Sequence, residues 1–192
     1  MARTRSIFGT ARLTAAGVLA ATLGMISTGC TATSSTPQAT PTSAVVPVAE
    51  QRGAPNGSGN GLCFDPNSVL AQSALAKLPA APIGTWSVGQ TSNDPISAGC
   101  DGLLSWMMAD TNTNHPYTQV LFFTGGTYLG TTTSDPYMFT MLTAHTRTSI
   151  SLTYRWTVGN DPMCCPQGGP SVVTFTLNGT TITANGQFPP HS

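Results

Sequence analysis

From Ser149 to Val158 the sequence changes between polar and apolar at every residue. Ile150, Leu152, Tyr154, Trp156 and Val158 alternate with Ser149, Ser151, Thr153, Arg155 and Thr157. A period of two belongs to a strand, whose successive side chains leave on opposite faces; a helix would scatter these apolar groups around its circumference. The segment reads as a half-buried strand with a hydroxyl-rich face in water. Val173, Phe175 and Leu177 repeat the pattern and run into Asn178-Gly179. Asn-Gly is the strongest short hairpin signal, because a type I′ turn needs positive φ at both central residues. With those two as the loop, the expected partners are Leu177 with Thr180, Phe175 with Ile182 and Val173 with Ala184, which puts the apolar residues on one face.

Val120–Phe123, Gly125-Gly126 and Tyr128–Thr131 read as a second hairpin, and Met138–Ala144 as one further strand. Gly102–Ala109 fits either a short helix or a buried strand, since an uninterrupted apolar run has no period to separate them. One helix of about twelve residues is expected after Asp65-Pro66, with Asp as cap, Pro at the first position and Leu70, Ala74 and Leu78 in register, ending at Pro79. There is no repeated βα alternation. The expected fold class is α+β: a mainly antiparallel β-sheet with one N-terminal helix, stapled by disulfides.

The first residues read as an address. Arg3, Arg5 and Arg12 precede the uncharged run Leu13–Ile26. That run spans roughly 21 Å as a helix, against about 30 Å for a bilayer core, so it fits a secretory signal rather than an anchor. Ser27-Thr28-Gly29-Cys30 then resembles a bacterial lipobox, with Ser27 where Leu or Val is usual. The reading is a signal peptide over 1–29, an acylated Cys30, a disordered Thr/Ser/Pro/Gly tether over 30–60, and one globular envelope domain over 61–192. The tether has too little apolar surface to offset its ordering entropy.

Charge excludes several functions. Charged residues are 7% of the chain, where about a quarter is usual. No basic patch exists to hold phosphates, which argues against nucleic acid. After residue 29, Arg52, Lys77, Arg147 and Arg155 face Glu50 and six aspartates, leaving −3. Such a chain has no attraction to anionic lipid; membrane residence falls to the acyl chains on Cys30, on the extracytoplasmic face of the cell membrane.

Cys63, Cys100, Cys164 and Cys165 form an even set in an exported domain, which argues for two disulfides. One connectivity joins the neighbours Cys164 and Cys165 in a strained ring. The other two tie Cys63 and Cys100 each to one member of the doublet, and relaxed disulfide geometry favours these.

Cys100 with Leu104-Ser105-Trp106, Val120-Leu121-Phe122-Phe123, Gly126 to Thr131, Tyr154-Arg155-Trp156, and Gly168-Gly169-Pro170 before Val173-Thr174-Phe175 together resemble the LppP/LprE-type lipoproteins of actinobacteria. The resemblance covers about Cys100 to Gly186. It implies a secreted, lipid-anchored envelope protein and no reaction.

The chemistry-bearing residues point the same way. Ser105, His145 and Asp135 supply the parts of a triad, but no Gly-x-Ser-x-Gly elbow surrounds any serine. His115 precedes a proline in a polar loop and His191 lies in the C-terminal tail. Asp94, Asp101, Asp110, Asp135 and Asp161 sit in turn-like contexts, where Asp caps. No catalytic residue, metal ligand set or cofactor is expected. Arg155 stands between two aromatics on the wet face of its strand and is the candidate contact for an anionic ligand. Trp86, Trp106, Phe123, Tyr128 and Trp156 are candidates to line a cavity, with core packing as their ordinary role. The expected function is non-enzymatic binding of an envelope protein or wall component; the alternative is a lipid or glycolipid carrier.

Overall fold

A computed structural model of the chain describes residues 54–190. The expected export signal over 1–29, Cys30, the expected tether up to residue 53 and His191 lie outside the described residues.

The described chain runs α1 (Val69–Leu75), β1 (Trp86–Thr91), β2 (Ser105–Thr111), β3 (Tyr117–Thr124), β4 (Thr127–Thr131), β5 (Tyr137–Met138), β6 (Thr140–His145), β7 (Ser149–Trp156), β8 (Gly168–Asn178) and β9 (Thr181–Gly186). Sheet I has the order β1-β2-β3-β4, with β5 also paired to β3; sheet II has the order β6-β7-β8-β9. Every strand pair is antiparallel. The α+β expectation holds, with two sheets in place of one and a Cys63–Cys100 cross-link.

Alternation explains why two sheets and a helix stack as three layers. Trp106 and Met108 of β2 and Val120 and Phe122 of β3 pack against Ile150, Leu152, Tyr154, Val173, Phe175 and Leu177 of sheet II. The intervening Met107, Ala109, Leu121 and Phe123 pack against Phe64, Ala71 and Ala74 on the helix side. Phe122 meets Phe175 at 5.3 Å between ring centroids, and Phe123 meets Phe64 at 4.5 Å. β2 and β3 are therefore covered on both faces, so their central runs, 106–109 and 120–123, are apolar without interruption and carry no period. This decides between the two readings of Gly102–Ala109: the segment enters a central strand. Each large side chain so buried contributes about 1.5–3 kcal/mol.

The helix is shorter than its periodicity suggested. Its cap is Ser68, whose hydroxyl accepts from Ala71 N at 3.2 Å. Asp65 instead closes the preceding turn, its carboxylate accepting from Asn67 N at 2.8 Å, as Asp commonly does in turns. Composition assigned residues 55–60 to the tether, yet they are part of this unit. Ser58 N donates to Pro55 O, Asp65 N donates to Gly57 O, and Asn56 Nδ2 reaches Gly126 O.

Two further expectations are corrected. Met138–Ala144 is not one strand: Phe139 has φ 53° and breaks it, β5 pairing with β3 and β6 with β7. The chain thus changes sheets at that residue. In the last hairpin Asn178 pairs Thr181, Leu177 pairs Ile182 and Phe175 pairs Ala184. The loop is Gly179-Thr180, with positive φ at Gly179 alone of the pair, the type II′ requirement of Gly at the first central position. The register moves by two residues, so every side chain keeps its face.

Candidate binding site

β7 ends by running into its own neighbour's glycines. Its register with β8 slips between Tyr154 and Trp156, which pair Ser171 and Gly168. A Cβ on Gly168 would stand 2.4 Å from Trp156 Nε1 and 2.6 Å from Trp156 O; one on Gly169 would stand 3.0 Å from Trp156 Cζ3. Only glycine admits the indole so close to the backbone. The slip and the glycines hold Trp156 half-buried at the strand end and leave Arg155 exposed beside it.

Here the two sheets meet. Arg155 N donates to Phe139 O at 3.3 Å, which carries the strand pairing of sheet II up to the residue where the chain changes sheets. A bulky residue at positive φ is uncommon, and such backbone clusters at functional sites. Around this junction lies a hollow of about 210 Å³. Arg155, Trp156 and Thr157 come from the end of β7, Tyr117 from the start of β3, Pro136 to Phe139 from the crossover, and Pro190 from the C-terminal segment. Tyr137 is held from two sides in this wall: its ring stands edge-on to Tyr154 at 5.6 Å, and its hydroxyl donates to Pro189 O at 3.4 Å. A second, shallower hollow of about 550 Å³ shares Tyr117 and Met138 and continues to His115, Ile83 and Met163.

The electrostatics of this hollow rest on one group. The described residues include three cations. Arg147 donates to the carbonyls of Ala98, Gly99 and Asp101, and Lys77 lies 5.9 Å over the Tyr128 ring. Among the described residues, the Arg155 guanidinium has no hydrogen-bond or carboxylate partner. It faces a pocket whose remaining walls are aromatic rings, prolines and Met138, with the Thr157 hydroxyl at the rim. Such a guanidinium offers planar, forked donors to a carboxylate or phosphate.

Behind the hollow, Tyr154 is 1% exposed, and its hydroxyl completes no hydrogen bond. Burial pushes this phenol far above its ordinary range; the Thr132 side chain acts against the shift and the Tyr137 phenol adds to it.

The other sequence-derived candidates separate. Cys63 and Cys100 pair with each other, while Cys164 and Cys165 are both exposed and not cross-linked, so the expected ties to the doublet are not present. The cause is local: Cys63 N donates to Asp94 O and Ile96 N to Gly61 O, which lays the Cys63 segment beside the turn leading to Cys100. The hollow against this bond holds about 10 Å³, at most the room for one water. Ser105 faces the helix side of sheet I, whereas His145 approaches Trp106 at 6.1 Å on the other side; the two do not meet. The carboxylates of Asp110, Asp135 and Asp161 accept from Thr118, Ser134, and the amides of Val158 and Gln167. Of the aromatics named from sequence, only Trp156 lines the pocket. Trp106 and Phe123 are core, Trp86 donates to Pro79 O, and Tyr128 packs on Phe123. Tyr117, Tyr137 and Phe139 had no sequence signal, because their wall exists only where the sheets join.

Residues 101–180 match the model of the LppP/LprE lipoprotein family, so the resemblance carried by the motifs holds over that segment. The matched span contains the whole pocket wall except Pro190. No curated protein and no solved structure matches the chain.

Proposed function

We propose that this chain is a lipid-anchored, non-enzymatic binding module of the cell envelope, held at the membrane by acyl chains on Cys30, with the Arg155 hollow as its recognition site. The observation that carries the reading is the unpartnered guanidinium at an aromatic-walled pocket, in a domain where the other described cations are engaged by the protein itself. The ligand class is an anionic group, carboxylate or phosphate, on a ring or apolar scaffold that stacks on Trp156 and Tyr117. An envelope protein or a wall component can present such a group. The carrier alternative needs a large apolar cavity, and the space between the sheets is filled by Trp106, Phe122, Tyr154 and Phe175.

The test compares wild type and Arg155→Glu, each purified from native membranes, by mass spectrometry of what co-purifies. The reading expects an anionic molecule or partner retained by wild type and lost from the variant. Identical retention by both overturns it, and a solvent-extractable lipid held one-to-one by both establishes the carrier instead.

A further inference from the structure

Cys164 and Cys165 stand exposed in the segment between β7 and β8. Because Cys63 and Cys100 take each other, each member of the doublet has only its neighbour left among the described cysteines. The segment is held at its base by one carboxylate: Asp161 Oδ2 accepts from Val158 N and Gln167 N, both at 2.8 Å. Within that clamp, Cys165 N donates to Pro162 O at 2.9 Å, and Gln167 Nε2 donates to Cys165 O at 3.0 Å. Two adjacent thiols are therefore presented to solvent on a braced turn. The neighbouring Cys164 thiol pushes the Cys165 thiol up, burial adding less.

We propose that Cys164–Cys165 is a dithiol exchange site, taking its oxidising equivalents from low-molecular-weight disulfides and closing reversibly to a vicinal ring. One thiolate of the pair attacks one sulfur of the incoming disulfide. That S–S bond breaks, a mixed disulfide forms, and the first thiolate leaves and takes a proton from water. The neighbouring thiol gives its proton to solvent and attacks the protein sulfur of that mixed disulfide, expelling the second thiolate, which also takes a proton from water. In sum, two protein thiols and one disulfide become one protein disulfide and two thiols; the protein is oxidised by two electrons and the reagent is reduced by two. Consecutive Cα atoms lie about 3.8 Å apart across a trans peptide, short of the roughly 4.4–6.8 Å of relaxed disulfides. The ring is therefore strained and exposed, which makes it readily reduced. An exchange site needs that property and a structural staple does not.

The experiment uses the full chain, reduced under mild conditions and then treated with glutathione disulfide. The reading is taken on the tryptic peptide that begins at Trp156, which contains both cysteines and no other. The expected product is that peptide lighter by two hydrogens and free of glutathione. Cys164→Ser and Cys165→Ser should each retain one glutathione as a stable mixed disulfide. Reduced wild type should also bind phenylarsine oxide one-to-one through its adjacent thiols, and the single variants should not. A wild-type peptide that keeps glutathione, or stays fully reduced after prolonged exposure, overturns the proposal, as does equal arsenical binding by wild type and either variant. The exposed positions make misfolding of the variants a minor concern, and an unchanged melting midpoint checks it.

Discussion

Breaking the Cys63–Cys100 bond isolates its contribution to the fold. The bond spans a sequence separation of 37 residues, a segment that contains α1 and β1. The loop-closure entropy that a cross-link of this length removes from the unfolded chain corresponds to about 4 kcal/mol at 25 °C. Serine at the buried Cys63 adds a small further penalty through its hydroxyl. The helix layer stays docked through Phe64 on Phe123 and through Ala71 and Ala74 on sheet I, so the variant folds but is weakened. With a urea slope of about 1.5 kcal/mol/M, the midpoint falls by about 2.5 M. Urea unfolding followed by circular dichroism without reductant measures it. Cys63→Ser, Cys100→Ser and the double variant should agree to within that small penalty, because each removes the same single bond. Cys164→Ser and Cys165→Ser should stay within about 0.5 kcal/mol of wild type. A loss at either doublet cysteine equal to that of Cys100→Ser, or a non-reducing peptide map linking Cys63 to the doublet, would refute the pairing and restore one of the two connectivities that relaxed geometry favours.

Other perturbations probe the pocket and the core. Gly168→Ala drives a methyl group into the Trp156 indole and carbonyl; a loss of about 1–3 kcal/mol and a shifted tryptophan emission should appear in thermal melts read by fluorescence. Arg155→Ala should weaken ligand binding about ten- to hundredfold, the worth of one charge-assisted contact, with the melting midpoint unchanged; calorimetric titration with the co-purified ligand decides. Leu152→Ala, at a fully buried position between the sheets, should cost about 2–5 kcal/mol in urea unfolding. Tyr154→Phe should be neutral or stabilising at pH 7, because it removes a buried hydroxyl that has no partner. The folded-state phenol is raised above its ordinary value, so its protonation supports the fold below about pH 10 and that support is lost as pH climbs above it. Melts from pH 8 to 11 should show a steeper alkaline decline in wild type than in Tyr154→Phe.

Local rules decided much of this protein before any contact was known. The alternation of Ser149–Trp156 needs nothing beyond its own residues, and β7 carries Ile150, Leu152 and Tyr154 inward as that period requires. Gly125-Gly126 likewise makes its hairpin, both residues at positive φ. Turn chemistry announced the last hairpin but missed which residues are central, because Asn-Gly and Gly-Thr both satisfy a two-residue loop and pairing along the strands selects between them. Tertiary structure decided the rest. Met138–Ala144 has one uninterrupted pattern, yet different sheets take its two ends, and no local signal reports which neighbour a strand will find. Cysteine parity counts thiols without measuring distances, and hydrogen bonds from Cys63 N to Asp94 O and from Ile96 N to Gly61 O brought Cys63 to Cys100. Arg155 was legible as an exposed charge from its place in the period. Its pocket was not, because Tyr117, Phe139 and Pro190 are distant in sequence and become one wall only when sheet I hands the chain to sheet II.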